Sequence, residues 1–198
     1  MVSKRTQDPR KTWEKRYTAP DYQPNMEPVP FLVKMIQGLP PGQAICLAAG
    51  TGRNAIFLAQ NGYQVTAIDI SQAALNWCDQ ISAKLGVEVK TLEADLLAFD
   101  LGNKVWDLAT NLYFYEPSIF RGLKKSIRPG GHILFQTYSQ AQKKFAWGPS
   151  NNAFLVHPQD LEDEFKDWEL IYFEETEYTN LQNKNESVIQ MLAQKPKE

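Results

Sequence analysis

The stretch LAAGTGRNA (Leu47–Ala55) carries a short apolar run into a segment of helical spacing through two glycines. Gly50 and Gly52 stand where the backbone must turn sharply and let a ligand come close. A helix opening near Arg53 would present unpaired N–H groups to that ligand. In an open α/β sheet the crevice beyond the carboxyl ends of the strands is where ligands bind. A lone Gly-x-Gly says little, so the weight of the reading rests on what surrounds it.

Outward from this turn a regular alternation appears. QAICLAA (Gln43–Ala49) is a buried strand bounded by glycine, and RNAIFLAQNG (Arg53–Gly62) has apolar residues at helical spacing and a glycine stop. YQVTAIDI (Tyr63–Ile70) reads as a second strand, and SQAALNWCDQISAKLG (Ser71–Gly86) as a helix with a serine cap and a glycine end. VEVKTLEAD (Val87–Asp95), VWDLATNLYF (Val105–Phe114) and GHILFQTYS (Gly131–Ser139) read as strands three to five, with a helix over PSIFRGLKKSIRPG (Pro117–Gly130) before the fifth. Only a turn or short helix fits between Asp95 and Val105. HPQDLEDEFKD (His157–Asp167) is an amphipathic helix. WELIYFEETEY (Trp168–Tyr178) and SVIQMLAQK (Ser187–Lys195) are strands joined by TNLQNKNE closely enough to require antiparallel pairing. The expected fold is α/β: a doubly wound, Rossmann-like, seven-stranded sheet, mostly parallel, closed by a C-terminal antiparallel hairpin. One domain is expected over 1–198. Residues 1–38 would form an N-terminal lid and lead-in, with a helix from near Pro28 to Gly38, and 39–198 the core.

Two acidic residues end the neighbouring strands. Asp69 lies nineteen residues beyond Gly50, where a carboxylate can accept from both hydroxyls of a ribose. Asp95 can accept from an exocyclic amine while Leu96 packs on a purine face; the alternative for each carboxylate is the cap of the segment that follows. GTGRNA also fits Gly-x-Gly-x-x-Ala, the pattern of a nicotinamide dinucleotide site. Against that rival stand the polar Arg53-Asn54 pair where a pyrophosphate wants bare backbone, the IRPGGH entry to strand five, and the closing hairpin.

With these pieces assembled, the chain resembles the class I S-adenosylmethionine-dependent methyltransferases, and within them the small tellurite-resistance (TehB-like) type and related thiol and selenium methyltransferases. The likeness runs from WEKRY (Trp13–Tyr17) to the final hairpin. It includes PVPFL from Pro28, LPPG from Leu39, AAGTGRNAIFL from Ala48, VTAIDIS from Val65, EADL from Glu93, VWDL from Val105 and RPGG from Arg128. The resemblance implies that Gly50, Gly52 and their neighbours Ala48 and Arg53 hold the methionine part of S-adenosyl-L-methionine. Asp69 with Ile70 would bind the ribose, and Asp95 with Leu96 the adenine. Asn111 and Leu112 would offer backbone carbonyls to the methionine amine, and Arg16 and Tyr17 would close over the cofactor. The chain departs from the family at Cys46, usually acidic, and at Ala49, often cysteine.

Methyl transfer from a sulfonium is an in-line displacement that needs alignment and exclusion of water. A thiolate, selenite or selenide needs no base, so the expected reaction methylates a small soft nucleophile, with selenite or tellurite detoxification as its setting. An oxygen or nitrogen acceptor, the alternative, would need a base such as His157 or Tyr115. A cofactor-binding regulator without catalysis is the other alternative. Tyr113 and Tyr115, following strand four, are the expected acceptor-site residues, with Trp13, Tyr17, Phe145 and Trp147 as flanking walls. His132 reads as structural.

The bulk numbers narrow the partners. Lys and Arg number 21 against 23 Asp and Glu, a net charge of −2, which gives no general attraction for nucleic acid or anionic membrane. The basic leader (Lys4, Arg5, Arg10, Lys11, Lys15, Arg16) reads as a solvated arm. No apolar run reaches the length of a membrane span, and two separated cysteines with two histidines lack metal-ligand spacing. A small-molecule acceptor, a monomer or weak dimer, a reducing cytoplasmic setting and no disulfide are expected.

Overall fold

The computed structural model describes residues 8–180 and 182–197. Lys4 and Arg5 of the basic leader lie outside them, as does position 181 of the polar hairpin connection. The strands form one seven-stranded sheet of order β3-β2-β1-β4-β5-β7-β6, and the chain divides into two compact units, residues 1–101 and 102–198.

The first unit opens with α1 (Pro9–Tyr17), capped by Asp8 accepting from the Arg10 N–H, and α2 (Pro30–Met35) with a following 3-10 turn (Ile36–Gly38). Proline at the first helical position suits both, because the missing N–H is unpaired there anyway. β1 (Gln43–Leu47), α3 (Arg53–Gln60), β2 (Gln64–Asp69), α4 (Gln72–Leu85) and β3 (Val89–Glu93) follow. β1 and β2 pair in parallel from Gln43↔Gln64 to Leu47↔Ile68, and β2 and β3 from Val65↔Val89 to Asp69↔Glu93. This register puts Leu47, Asp69 and Glu93 at one carboxyl edge. The apolar side chains of β1 and β2, with Ala55, Ile56, Leu58, Ala74, Leu75 and Cys78 from the helices, are buried.

The second unit contains β4 (Trp106–Leu112), α5 (Phe120–Ser126), β5 (Ile127–Tyr138), α6 (Pro158–Glu164), β6 (Glu169–Thr179) and β7 (Asn185–Gln194). β4 and β5 are parallel, whereas β5–β7 and β6–β7 are antiparallel. Phe135, Leu134, Phe165, Leu161, Leu123 and Met191 are fully buried here.

Several boundaries differ from the sequence expectation. The helix expected over Pro117–Gly130 is a 3-10 turn (Pro117–Ile119) and then α5, which stops at Ser126, because Ile127 already pairs with Trp106. The Pro-Gly pair therefore lies within a bulged strand and not at a helix end. β1 stops two residues short of Ala49 because Ala48 takes a φ of 47°. β4 stops at Leu112 because Tyr113 takes a φ of 60°. The lead-in helix spans only Pro30–Met35. α1, by contrast, was not expected as a helix.

Candidate functional site

In the first unit three left-handed residues, Ala48, Gly50 and Gly52, fold the chain back after β1 into α3. Gly52 has φ 84°, and a Cβ placed on it would sit 2.2 Å from the Cys78 sulfur. Both its conformation and its space exclude a side chain. Burial pushes the Cys78 thiol up to about 12, which makes it an inert wall behind the turn.

Asp69, 6% exposed at the end of β2, fastens this turn. Its Oδ2 accepts from the Gly50 N–H at 2.7 Å, and its Oδ1 accepts from the Ser71 N–H at 3.0 Å. Burial raises its pKa, opposed by the backbone donors of Ser71, Gly50 and Ile70. Each carboxylate oxygen keeps lone-pair capacity for a further donor. Ile70 is half-buried beside it, as are Ala48 and Arg53. Asp95 is exposed and accepts from the Leu97 N–H at 3.0 Å as a local turn cap, while Leu96 is buried.

α1 lies across this same edge. Arg10, Glu14 and Tyr17, four and three residues apart, share one helix face. Arg10 pairs with Glu93 at the end of β3. Glu14 Oε2 accepts from the Ser71 hydroxyl at 2.6 Å and the Ala73 N–H at 3.3 Å, at the start of α4. Tyr17 Oη lies 3.0 Å from where a Gly50 Cβ would be, and the Trp77 indole donates to its carbonyl at 3.3 Å. Burial, then the Asp69 charge, raises the Tyr17 pKa. Arg16 is exposed, with its guanidinium 5.2 Å above the Trp13 ring. Glu14 was missed by sequence reasoning: nothing in WEKRY marks it out from the neighbouring charges. The Arg53-Asn54 pair also has a local task. Arg53 donates to the Glu27 carbonyl at 3.2 Å, and Asn54 Oδ1 accepts from the Val29 N–H at 2.9 Å, tying down the approach to α2.

In the second unit the carboxyl end of β4 carries Asn111, Leu112 and Tyr113. Asn111 is 0% exposed, and neither polar atom of its side chain has a hydrogen-bond partner. Tyr113, held by its N–H donating to the Gln136 carbonyl at 2.7 Å, donates through its hydroxyl to Glu186 Oε2 at 2.7 Å. The Tyr178 hydroxyl donates to the same oxygen at 2.8 Å, and Asn180 Nδ2 donates to Oε1 at 2.8 Å. Gln136 Nε2 donates to both phenolic oxygens, at 2.9 and 3.2 Å. Burial, first among several causes, drives the Tyr113 pKa far up and that of Tyr178 to about 12.

Tyr115 stays apart from this cluster, its half-buried ring 6.1 Å from that of Phe120. Its pKa is raised by burial and then by Asp160. His157 is the exposed N-cap of α6 and makes no side-chain capping bond. Trp147 stands edge-on to Tyr138 with centroids 6.1 Å apart, and Lys144 lies over the half-buried Phe145. His132 is 9% exposed in β5. Among the described residues no group of three His, Cys, Asp or Glu side chains is placed to hold a metal ion, and no helix is long and apolar enough to cross a membrane.

Comparison with known proteins adds to this geometry. The family model "Tellurite resistance protein TehB" matches residues 14–192. A probable S-adenosyl-L-methionine-dependent methyltransferase TehB of Haemophilus influenzae is 23% identical over 68% of this chain and 49% of its own. Hemagglutinin 1 of Eikenella corrodens is 28% identical over 71% of this chain and 48% of its own. The chain thus spans about half the length of these curated relatives. The crystal structure of TehB from H. influenzae superposes with a TM-score of 0.72 at 21% identity, over 83% of this chain and 61% of that one.

Proposed function

The chain belongs to the TehB family of tellurite-resistance proteins, and on that premise we propose that it transfers a methyl group from S-adenosylmethionine to a small soft nucleophile, a selenite or tellurite oxyanion or a thiol. The carrying observation is the Asp69 carboxylate, buried at the end of β2 and locked to Gly50 and Ser71 through two backbone N–H groups. Those bonds fix both oxygens and leave lone pairs for two vicinal hydroxyls, as a ribose presents them. When bound, the cofactor supplies a methyl carbon made electrophilic by its sulfonium.

The chain's own residues then bind, orient and exclude water. Ala48, Gly50, Gly52 and Arg53 would take the methionine end, where bare backbone admits close approach. Asp69 and Ile70 would take the ribose, and Asp95 and Leu96 the adenine, with the Asp95 carboxylate accepting and Leu96 packing. The carbonyls of Asn111 and Leu112 would receive the ammonium. The Asn111 side-chain amide, buried without a partner, would add a polar contact of its own, since leaving it unpaired costs about 1–3 kcal/mol that a polar ligand would recover. Arg16 and Tyr17, carried by α1, would cover the cofactor. The acceptor would sit by Tyr113 and Tyr115, with His157 as an outlying base candidate. In this reading residues 1–198 act as one methyltransferase domain, with a small-molecule acceptor, in the cytoplasm, as a monomer or weak dimer.

A small oxygen or nitrogen acceptor is the second reading, favoured by the buried Glu186 carboxylate beside Tyr113. The deciding experiment is headspace mass spectrometry of the purified protein with S-adenosylmethionine and selenite, tellurite or small thiols. Calorimetry for cofactor binding would be run on the same sample. A volatile methylated product is expected. Cofactor binding with no product from the whole panel would move the acceptor to oxygen or nitrogen, and no binding would overturn the proposal.

A further inference from the structure

The cluster around Glu186 has a polarity that bears on which soft nucleophile is used. Its members come from four places in the chain: Tyr113 after β4, Gln136 and Tyr138 on β5, Tyr178 on β6 and Glu186 on β7. Antiparallel pairing sets Tyr178 opposite Glu186, and Tyr138 opposite Val188 two residues on. They therefore gather at the carboxyl end of β4 and β5, the end at which open α/β sheets take their ligands.

The hydrogen bonds of the cluster converge on Glu186, and the two phenolic oxygens lie 2.9 Å from each other. Tyr113 and Tyr178 both donate to Glu186 Oε2, and Gln136 donates to both phenols. Glu186 is 4% exposed, and among the described residues no Lys or Arg forms an ion pair with it. A buried carboxylate is ordinarily paired with a cation or neutralised. Here it is held by neutral donors alone. What remains on offer is the carboxylate charge and, on each phenolic oxygen, the lone pair that Gln136 does not engage; these attract a hydrogen-bond donor and give the oxygens of an oxyanion no donor.

A second observation points the same way. Tyr113 is held at φ 60°, a conformation that is strained for a residue with a bulky side chain. Such strain persists where the surroundings over-determine it. Here the Gln136 carbonyl fixes the Tyr113 backbone, and Glu186 and the Tyr138 ring at 5.2 Å fix its side chain.

We propose that Glu186, acting through the Tyr113 hydroxyl, takes the proton of a neutral thiol acceptor, so that the chain methylates an S–H compound rather than a selenite or tellurite oxyanion. This rests on the methyl-transfer reading above and narrows its acceptor. The acceptor's sulfur forms a bond to the methyl carbon as the methyl–sulfonium bond breaks, its electron pair staying on the cofactor's sulfur. The S–H proton passes to the Tyr113 oxygen while the phenolic proton passes to Glu186, leaving a carboxylic acid that later releases the proton to water. Tyr113 never has to become a phenolate, which its burial disfavours. A thiol suits this relay better than an alcohol, because its ordinary pKa of about 8.5 makes it much the stronger acid. Tyr113 is the group that touches the acceptor, and Glu186 is a positioning residue and proton store behind it.

The test uses the full chain as wild type, Glu186→Gln and Tyr113→Phe. Each is assayed with S-adenosylmethionine against a small alkyl thiol, an aryl thiol already ionised at the assay pH, and selenite. Cofactor binding is followed calorimetrically throughout. Wild type is expected to methylate both thiols, the protonated alkyl thiol in preference to the anionic aryl thiolate, and to leave selenite unmethylated. Each variant should lose about a hundredfold more turnover with the alkyl thiol than with the ionised aryl thiol, the scale of general-base help. Equal loss on the two thiols, or none, would overturn the relay, and preference for selenite would overturn the acceptor. A wild type that binds no cofactor would sink the methyl-transfer reading instead, so the two failures are distinguishable. Apart from turnover, near-ultraviolet titration of the cofactor-free chain should show phenol ionisation at lower pH in Glu186→Gln than in wild type. An unchanged titration would refute the placement of the phenolic protons on Glu186.

Discussion

Replacing Gly52 by alanine strains the glycine turn in two separable ways. The first is conformational. At φ 84° an L side chain has its Cβ against the backbone, a cost of about 1–2 kcal/mol. The second is steric. The new Cβ would lie 2.2 Å from the Cys78 sulfur and 2.8 Å from its Cβ, so α4 or the turn must shift, and overpacking of a filled core costs about 1–3 kcal/mol. Together they predict a loss of about 2–5 kcal/mol, a large share of a stability that is normally about 5–15 kcal/mol. In a thermal scan that is a fall of about 4–20 °C for a chain of this size. Cys78→Ala in the Gly52→Ala background removes the sulfur but not the Cβ contact. The pair should then couple favourably by about 1 kcal/mol in a double-mutant cycle. A Gly52→Ala protein melting within about 2 °C of wild type would refute both parts of the argument. A zero coupling with Cys78→Ala would refute the steric part alone.

Glu14→Ala should release α1 while sparing the core. Hydrogen bonds to a charged acceptor are worth about 1.5–3 kcal/mol, so tryptic cleavage at Lys15 and Arg16 should accelerate about tenfold or more, with unchanged melting of the remainder; equal cleavage rates would refute it. Deleting residues 1–18 is expected to abolish S-adenosylmethionine binding without unfolding the chain, and unchanged affinity would refute the covering role. Asn111→Ala should weaken cofactor binding yet cost little stability, since it removes an amide with no partner; a large stability loss would show the amide is structurally engaged. His132 has its pKa lowered by burial, partly offset by Glu169. Its contribution to stability is therefore present above the ordinary histidine range near 6.5 and is lost as pH falls through it. His132→Leu should flatten that decline in urea midpoints, and an unaltered slope would exclude His132 as its source.

The parallel framework was legible because its strands are continuous apolar runs punctuated by glycine, as QAICLAA and VTAID are. Asp69 was legible through its distance from Gly50. What escaped was built from polar contacts. No residue of α1 is fully buried, so it shows no apolar stripe, and only the Asp8 cap and Pro9 start signal a helix. The Glu186 cluster depends on register. Tyr178 and Glu186 meet only because β6 and β7 pair in one particular alignment, and by its sequence Glu186 belongs to the polar connection TNLQNKNE. The helix before β5 is shorter than its sequence suggests because nothing in IRPGG reveals that Ile127 has already entered the sheet. The exposed Asp95, by contrast, does as a turn cap what was weighed from the start as its alternative.

The dependence of α1 on charge has an environmental consequence. The Arg10–Glu93 pair is 45% and 35% exposed, and the Debye length shrinks from about 10 Å at 0.1 M salt to about 3 Å at 1 M. The apolar interior beneath it feels no comparable screening. Raising the ionic strength therefore weakens the tether of α1 to the sheet edge without weakening the apolar packing beneath it.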